Sequence, residues 1–337
     1  MKLDQTFTHF LLEHQLQHQR TLNFLVLMDG IRVAAKHIQH YYNIAALSDN
    51  LGETDRINVQ GEQVMALDDI AHDIVVHYLR ESQQVIEAIS EEAPEPIRMN
   101  EDGRYFVYFD PLDGSSNVKH NLPVGFLFGI AKRNPDGEDE DCSLRCGRDF
   151  IAAGMFLIPA GVFTFALRDG GAWRFLKDEF GEFVRPTRIF LPEAKKTWEL
   201  SCNAGYMNTF SPAVQGWLGH YMGRYKFRYA GSLVVDFHRL LDNGGIFAYP
   251  PIVNHQDPSN NRPEGKLRLM YESAVVAFIA KEAGGLAVNQ YGEEILDVVP
   301  QKPHQRSALF VGNQELVRSI QSDLRGHFHD IPRAVNG

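Results

Sequence analysis

The stretch YFVYFDPLDGSSN, residues 105–117, sets five strand-forming apolar residues directly against two aspartates, a glycine and two serines. Aromatic and β-branched runs bounded by turn residues read as strands, so a strand is expected over 105–109, ending at Asp110. Asp110 and Asp113 then stand together at the strand end. Gly114 removes a side chain where a ligand would approach the backbone. Ser115 and Ser116 follow with amide and hydroxyl donors, a set that suits phosphate.

Two other acidic groups lie at predicted element ends. QQVIEAIS (83–90) reads as a strand that runs into Glu91 and Glu92, and Glu272 lies on an apolar helix read from Leu269. Parallel neighbours end on one side of a sheet, where α/β folds bind ligands. Carboxylates converging there repel one another unless cations neutralise them, and an all-oxygen set suits Mg2+ or Mn2+. Each carboxylate alone reads as a solvated surface group. Their succession, with the serines beside them, argues for metal-assisted hydrolysis of a phosphate ester.

The rest of the chain supports a two-part α/β organisation. Its 337 residues suffice for about two domains. Residues 5–43 read as helix from the spacing of Leu27, Ile31, Ala34 and Ile38, and 47–62 as a polar loop. His14, His18, His37 and His40 lie along that helix and read as solvated. Residues 68–80 form a second helix, and strands continue with turns to about residue 190. The Pro-containing, charged segment 185–197 marks a boundary. Beyond it, strands alternate with helices, the last of them (NQELVRSIQSDL) preceded by an Asn cap. Because the first half also holds consecutive strands, stacked sheet and helix layers are expected.

A net charge of −10 disfavours nucleic acid and anionic membranes as partners. The opening residues and the rest of the chain hold no apolar run long enough for a leader or a span, so a cytoplasmic protein is expected. Cys142, Cys146 and Cys202 are too few for a disulfide scaffold. The C-x3-C pair reads as two loop thiols.

FDPLDGSSN (109–117) resembles the signature of class I fructose-1,6-bisphosphatases, within the superfamily that includes inositol monophosphatases. LDDIAHD (67–73), SEE (90–92), NAGY (203–206), RYAGS (228–232), GGIFAYP (244–250), GKLRLMYE (265–272), KEAGG and PHQRSALFVG follow in that family's order. The resemblance spans roughly residues 20–325. It implies a layered α-β-α-β-α sugar phosphatase fold. An N-terminal subdomain (1–190) would carry the metal and 1-phosphate site with the allosteric helices, and a C-terminal one (191–337) the sugar and 6-phosphate site.

The same resemblance implies roles. Glu91, Glu92, Asp110, Asp113 and Glu272 would bind two or three Mg2+ ions, with the Leu112 carbonyl as a further ligand. Asp68 and Glu92 would orient or deprotonate the attacking water. Gly114, Ser115 and Ser116, beside Asp113, would hold the 1-phosphate, with Arg268 adding positive charge. Asn203, Tyr206, Tyr229 and Tyr249 would bind the 6-phosphate, and Lys266 the sugar and that phosphate. Arg228 would reach the 6-phosphate of a neighbouring subunit, which implies a homo-oligomer, in this family a tetramer. The implied activity is Mg2+-dependent, gluconeogenic hydrolysis of fructose 1,6-bisphosphate.

Several features depart from the family. The T-G-E-x-T segment of AMP-regulated members is replaced by HQRTLNFLVLM (18–28), although by the resemblance Arg104, Tyr105 and Lys132 would be remnants of a nucleotide phosphate site. Weak or absent AMP inhibition is expected. VKHNLP (118–123) puts Lys119 where an aspartate is usual and Pro123 before the next strand. Leu233 replaces a common methionine. Competing readings are a sedoheptulose-1,7-bisphosphatase or dual enzyme and a catalytically dead sugar-phosphate sensor. An inositol monophosphatase would leave the distal tyrosines without purpose. A haloacid-dehalogenase-type phosphatase needs D-x-D, where this chain has D-x-x-D.

Overall fold

The computed structural model describes residues 4–18, 22–45, 53–57, 63–133, 143–192 and 198–326. The N-terminal half comprises helices α1 (Phe7–His18), α2 (Leu22–Ile44) and α3 (Ala66–Ser82) and ten strands. These are β1 (Glu53–Ile57), β2 (Gln63–Met65), β3 (Val85–Ser90), β4 (Ile97–Arg98), β5 (Tyr105–Asp113), β6 (Val124–Lys132), β7 (Phe150–Ile158), β8 (Val162–Leu167), β9 (Gly171–Lys177) and β10 (Phe183–Ile189). β3 to β10 form one eight-stranded sheet in the order β10-β9-β8-β7-β6-β5-β3-β4. All its pairings are antiparallel except β3 with β5.

The C-terminal half adds β11 (Glu199–Ser201), α4 (Pro212–Tyr221), β12 (Lys226–Phe227), α5 (Leu233–Asn243), β13 (Gly245–Tyr249), β14 (Leu267–Arg268), α6 (Ala274–Glu282), β15 (Leu286–Val288), β16 (Arg306–Ser307), β17 (Leu309–Gly312) and α7 (Gln314–Gly326). A five-stranded sheet runs β12-β11-β13-β17-β15.

Strand alternation sets the layers. Along β5, Tyr105, Val107 and Phe109 pack with α1–α3, whereas Phe106 and Tyr108 face α5 and α6. Phe247, Leu309 and Val311 of the second sheet close on α5 and α6 from the other side. The outer face of that sheet carries Ile246, Ala248 and Phe310 against α4 and α7. The order is helix, sheet, helix, sheet, helix, as expected. α6 is apolar on every face because it lies between two sheets.

Some expectations change. The 5–43 helix is two helices. The 47–62 loop includes β1, which pairs antiparallel with β2. The opening strand continues through Asp113 rather than stopping at Asp110. The helix expected from Leu269 begins with a π-helical turn, Leu269–Ser273, which sets Glu272 apart from the regular α6. Asn313 does not cap α7 with its side chain: its Oδ1 accepts from Gly245 N and its Nδ2 donates to the Pro192 carbonyl. Cys142 and part of HQRTLNFLVLM lie outside the described residues.

Candidate active site

The site begins where the two parallel strands end together. β3 and β5 run side by side, and Glu91 N donates to the Phe109 carbonyl at 3.1 Å. In a regular strand Asp110 and Asp113, three residues apart, would point to opposite faces. A bulge prevents this. From Asp110↔Leu127 to Asp113↔Gly125, β5 advances three residues while β6 advances two. Asp110 Oδ1 accepts from Leu112 N within the bulge (2.9 Å), so the carboxylate itself satisfies an amide that the ladder releases. Both aspartates thereby face the α5–α6 layer, and Leu112 turns to the other side.

The N-terminus of α5 completes the setting of Asp113. Its carboxylate accepts from Ser232 Oγ at 2.5 Å, Val234 N at 2.8 Å and Leu233 N at 3.2 Å. Ser232 is also the helix cap, accepting from Val235 N. Two glycines allow this approach. A Cβ on Gly125 would lie 2.3 Å from Val234 Cβ, and one on Gly114 would lie 2.6 Å from Ser232 Cβ. Gly114 also has φ +77°, in the left-handed region.

Glu272 comes from the π turn before α6, where its Oε2 accepts from Arg268 N at 2.6 Å. Asp110, Asp113 and Glu272 are all buried and offer oxygens within 4.8 Å of one another. Burial, then Glu91 and the other carboxylates of the cluster, pushes the Asp110 carboxyl well up. Burial and then Glu91 do the same to Glu272. Asp113 rises to about 6: burial outweighs its three donors. Carboxylates this close and this buried repel one another, and a hard divalent cation on these oxygens would offset that repulsion. The donor set therefore fits a metal.

Arg268 is buried, donates from Nη1 to the Lys266 carbonyl at 2.7 Å, and places Nη2 3.6 Å from Glu91 Oε1. Asp68 is buried in the first turn of α3. One turn on, His72 Nδ1 lies 2.8 Å from Ser90 Oγ, which in turn accepts from Glu92 N at 3.3 Å. This chain fixes α3, and with it Asp68, relative to Glu92.

A single cavity of about 560 Å³ gathers these groups. Asp68, Glu91, Glu92, Asp110, Leu112 and Asp113 line it, with Gly114, Ser115, Ser116, Arg268 and Glu272. Its wall also includes Asn203, Tyr206, Tyr229, Tyr249 and Lys266, carried by the five-stranded sheet and its connections. Asn203 caps a short 3-10 helix, its Oδ1 accepting from Gly205 N, and that helix bears Tyr206. Burial keeps the Tyr249 hydroxyl protonated, hence able to donate. Partial burial, then crowding against Tyr249, does the same for Tyr229, which is 37% exposed.

Arg228 does not join them: it is exposed and lies outside the cavity wall. Lys119, a departure from the family pattern, lines the cavity. Sequence reasoning missed Ser232, Leu233 and Val234 as holders of Asp113. Gly-Ser before an apolar helix was the available signal, since a capped helix N-terminus attracts an anion.

Away from this cavity, Arg104 and Lys132 are exposed at one end of β5 and β6, where Tyr105 pairs with Lys132. Tyr105 itself is core, edge-on to Phe24. Burial raises the Cys146 thiol, and its Sγ donates to Asp149 Oδ2. Cys202 is buried and pushed up to about 12. Both are protonated thiols at neutral pH.

The chain has relatives among known proteins along nearly its whole length. Family models for "Fructose-1-6-bisphosphatase, N-terminal domain" and "C-terminal domain" match residues 5–187 and 191–324. It is 55% identical over 326 residues to a class 1 fructose-1,6-bisphosphatase of Syntrophus aciditrophicus, covering 96% of this chain and 98% of that one. It is 35% identical to fructose-1,6-bisphosphatase 1 of Mus musculus, covering 96% of each chain. The crystal structure of the Leishmania major fructose-1,6-bisphosphatase in holo form superposes with a TM-score of 0.86 at 30% identity, over 96% of this chain and all of that one. With both family models in sequence across its length, and a cavity built as described, the chain belongs to the class I fructose-1,6-bisphosphatase family.

Proposed function

We propose that this chain hydrolyses fructose 1,6-bisphosphate to fructose 6-phosphate and inorganic phosphate. The observation that carries the reading is one cavity that joins a buried carboxylate cluster, a Gly-Ser-Ser cradle and a largely uncharged set of phosphate donors. Glu91, Glu92, Asp110, Asp113, Glu272 and the Leu112 carbonyl hold two or three Mg2+ ions, with Mn2+ an acceptable substitute. When bound, the cations neutralise the phosphoryl oxygens and lower the pKa of water.

The chain's own residues do the rest. Gly114, Ser115 and Ser116 grip the 1-phosphate through amides and hydroxyls, and Arg268 balances its charge. Asp68 and Glu92 orient the water and take its proton as its oxygen bonds to phosphorus. The bond from phosphorus to the sugar O1 breaks, and O1 takes up a proton from solvent. Asn203, Tyr206, Tyr229, Tyr249 and Lys266 hold the 6-phosphate and the sugar. Arg228, exposed, serves the 6-phosphate of a neighbouring subunit in a homotetramer. The chain divides at 190/191 into a metal and 1-phosphate subdomain and a sugar and 6-phosphate subdomain. It works in the cytoplasm.

The test is phosphate release from fructose 1,6-bisphosphate with Mg2+ and then with EDTA, beside sedoheptulose 1,7-bisphosphate and inositol 1-phosphate. Fast release from the fructose substrate, abolished by EDTA, is expected. Equal rates on both bisphosphates would make the enzyme dual. No release from any of them would overturn the reading.

A further inference from the structure

The segment that holds Asp113 also carries a wall of the distal half of the cavity. Residues 228–232 lead from exposed Arg228 and cavity-lining Tyr229 to Ser232, the cap of α5. Between them, Ala230 is fixed at both its backbone groups. Its N–H donates to both carboxylate oxygens of the buried Asp236, at 2.9 and 3.1 Å. Its carbonyl accepts from Asn117 Nδ2 at 3.2 Å. Asn117 closes the phosphate cradle: its N–H donates to the Gly114 carbonyl at 2.8 Å, and its Nδ2 also donates to the Pro123 carbonyl at 3.1 Å. It is 9% exposed and does not line the cavity.

Three ties therefore join the cradle to the distal wall within a few residues. Ser232 reaches Asp113, Ser232 packs over Gly114, and Asn117 reaches Ala230. The first two also serve the metal ligand and the cradle directly. The Asn117 tie touches neither reacting group and joins only the two backbones. Gly231, at φ +78°, follows it and lets the chain turn from Tyr229 to the α5 cap.

On the reading of this cavity given above, we infer that Asn117 is a positioning residue that makes the cradle and the distal phosphate wall act as one unit, and so sets the preference for bisphosphates over monophosphates. A distal phosphate that orders Tyr229 also orders Ala230, and through Asn117 the turn that presents Ser115 and Ser116. Binding energy from the remote phosphate is then used to align the reacting one.

The readout is the ratio of kcat/KM for fructose 1,6-bisphosphate to kcat/KM for fructose 1-phosphate, which lacks the distal group. Asn117→Ala is expected to lower this ratio about tenfold, the equivalent of one buried hydrogen bond. A role confined to the shape of the cradle lowers both values together and leaves the ratio unchanged; that result overturns the inference. Asn117→Asp keeps the volume but cannot donate to the Ala230 carbonyl. It is expected to lower the ratio similarly, and it decides the matter should Asn117→Ala not fold. Melting temperatures of all variants are measured alongside. If the unmodified chain releases no phosphate from the bisphosphate, the functional reading fails first; if it does and both variants keep its ratio, only the inference fails.

Discussion

At Asp110, function and stability oppose each other. The carboxylate is buried beside Asp113 and Glu272, and burial followed by its carboxylate neighbours pushes its pKa up. A buried like-charge cluster is a cost to the fold unless a metal relieves it. Asp110→Asn keeps an oxygen for the Leu112 amide and takes one ionisable carboxyl out of the cluster. Three outcomes are expected together. Phosphate release falls about a hundredfold or more, since a metal ligand contributes several kcal/mol. The melting temperature in EDTA rises by about a few degrees. The further rise on adding Mg2+ shrinks. Thermal melts with EDTA and with Mg2+, on wild type and variant, check the last two. A fall in the EDTA melting temperature would show that Asp110 is held by its hydrogen bond more than it is burdened by its neighbours.

At the scale of elements, the site depends on the bulge in β5 meeting the N-terminus of α5. Gly125, opposite Asp113 on β6, leaves the space that Val234 fills. Gly125→Ala puts a methyl carbon where no real pair of carbons sits, so α5 must retreat and its amides withdraw from Asp113. A loss of about 1–3 kcal/mol in stability is expected, as for other overpacked sites, with weaker metal binding. Combining it with Val234→Ala is expected to restore part of both, because the two side chains compete for one space. Urea melts and Mn2+ titrations of the single and double variants measure this; a double variant no better than Gly125→Ala alone would refute the contact.

This junction also shows what could be read from the sequence. The strands and helices around it follow from alternation and helical spacing, and Glu91-Glu92 and Asp110-Asp113 were visible because each pair follows an apolar strand directly. The bulge was not visible, since it is a mismatch of register between two strands and neither sequence alone states it. The donors on Asp113 lie about 119 residues away along the chain, so only the folded topology reveals them. The π turn at Glu272 was hidden for a related reason: its spacing reads as ordinary helix until a tertiary contact, here Leu269 N to the Gln305 carbonyl, fixes its start.

At the scale of the molecule, the two halves of the sequence are not two cores. The eight-stranded sheet belongs to residues before 190, and one of its faces is covered by α1–α3 from the same half. Its other face, with Phe106, Tyr108, Leu127, Phe150 and Met155, is covered by α5 and α6 from the second half. Each large apolar side chain contributes about 1.5–3 kcal/mol when fully buried. Five of them uncovered cost about as much as the whole net stability of a domain, roughly 5–15 kcal/mol. The same middle layer carries Glu272 and the Asp113 donors, so the carboxylate cluster is completed only when the layer docks. Residues 1–190 expressed alone are therefore expected to aggregate or bind a hydrophobic dye, and to show no Mg2+-dependent rise in melting temperature. The full chain is expected to unfold in one calorimetric transition with Mg2+ bound. Two separate transitions in the full chain, or a soluble 1–190 fragment that melts cooperatively, would mean that the first sheet is stable on the α1–α3 face alone and that α5 and α6 add the site without adding to the fold.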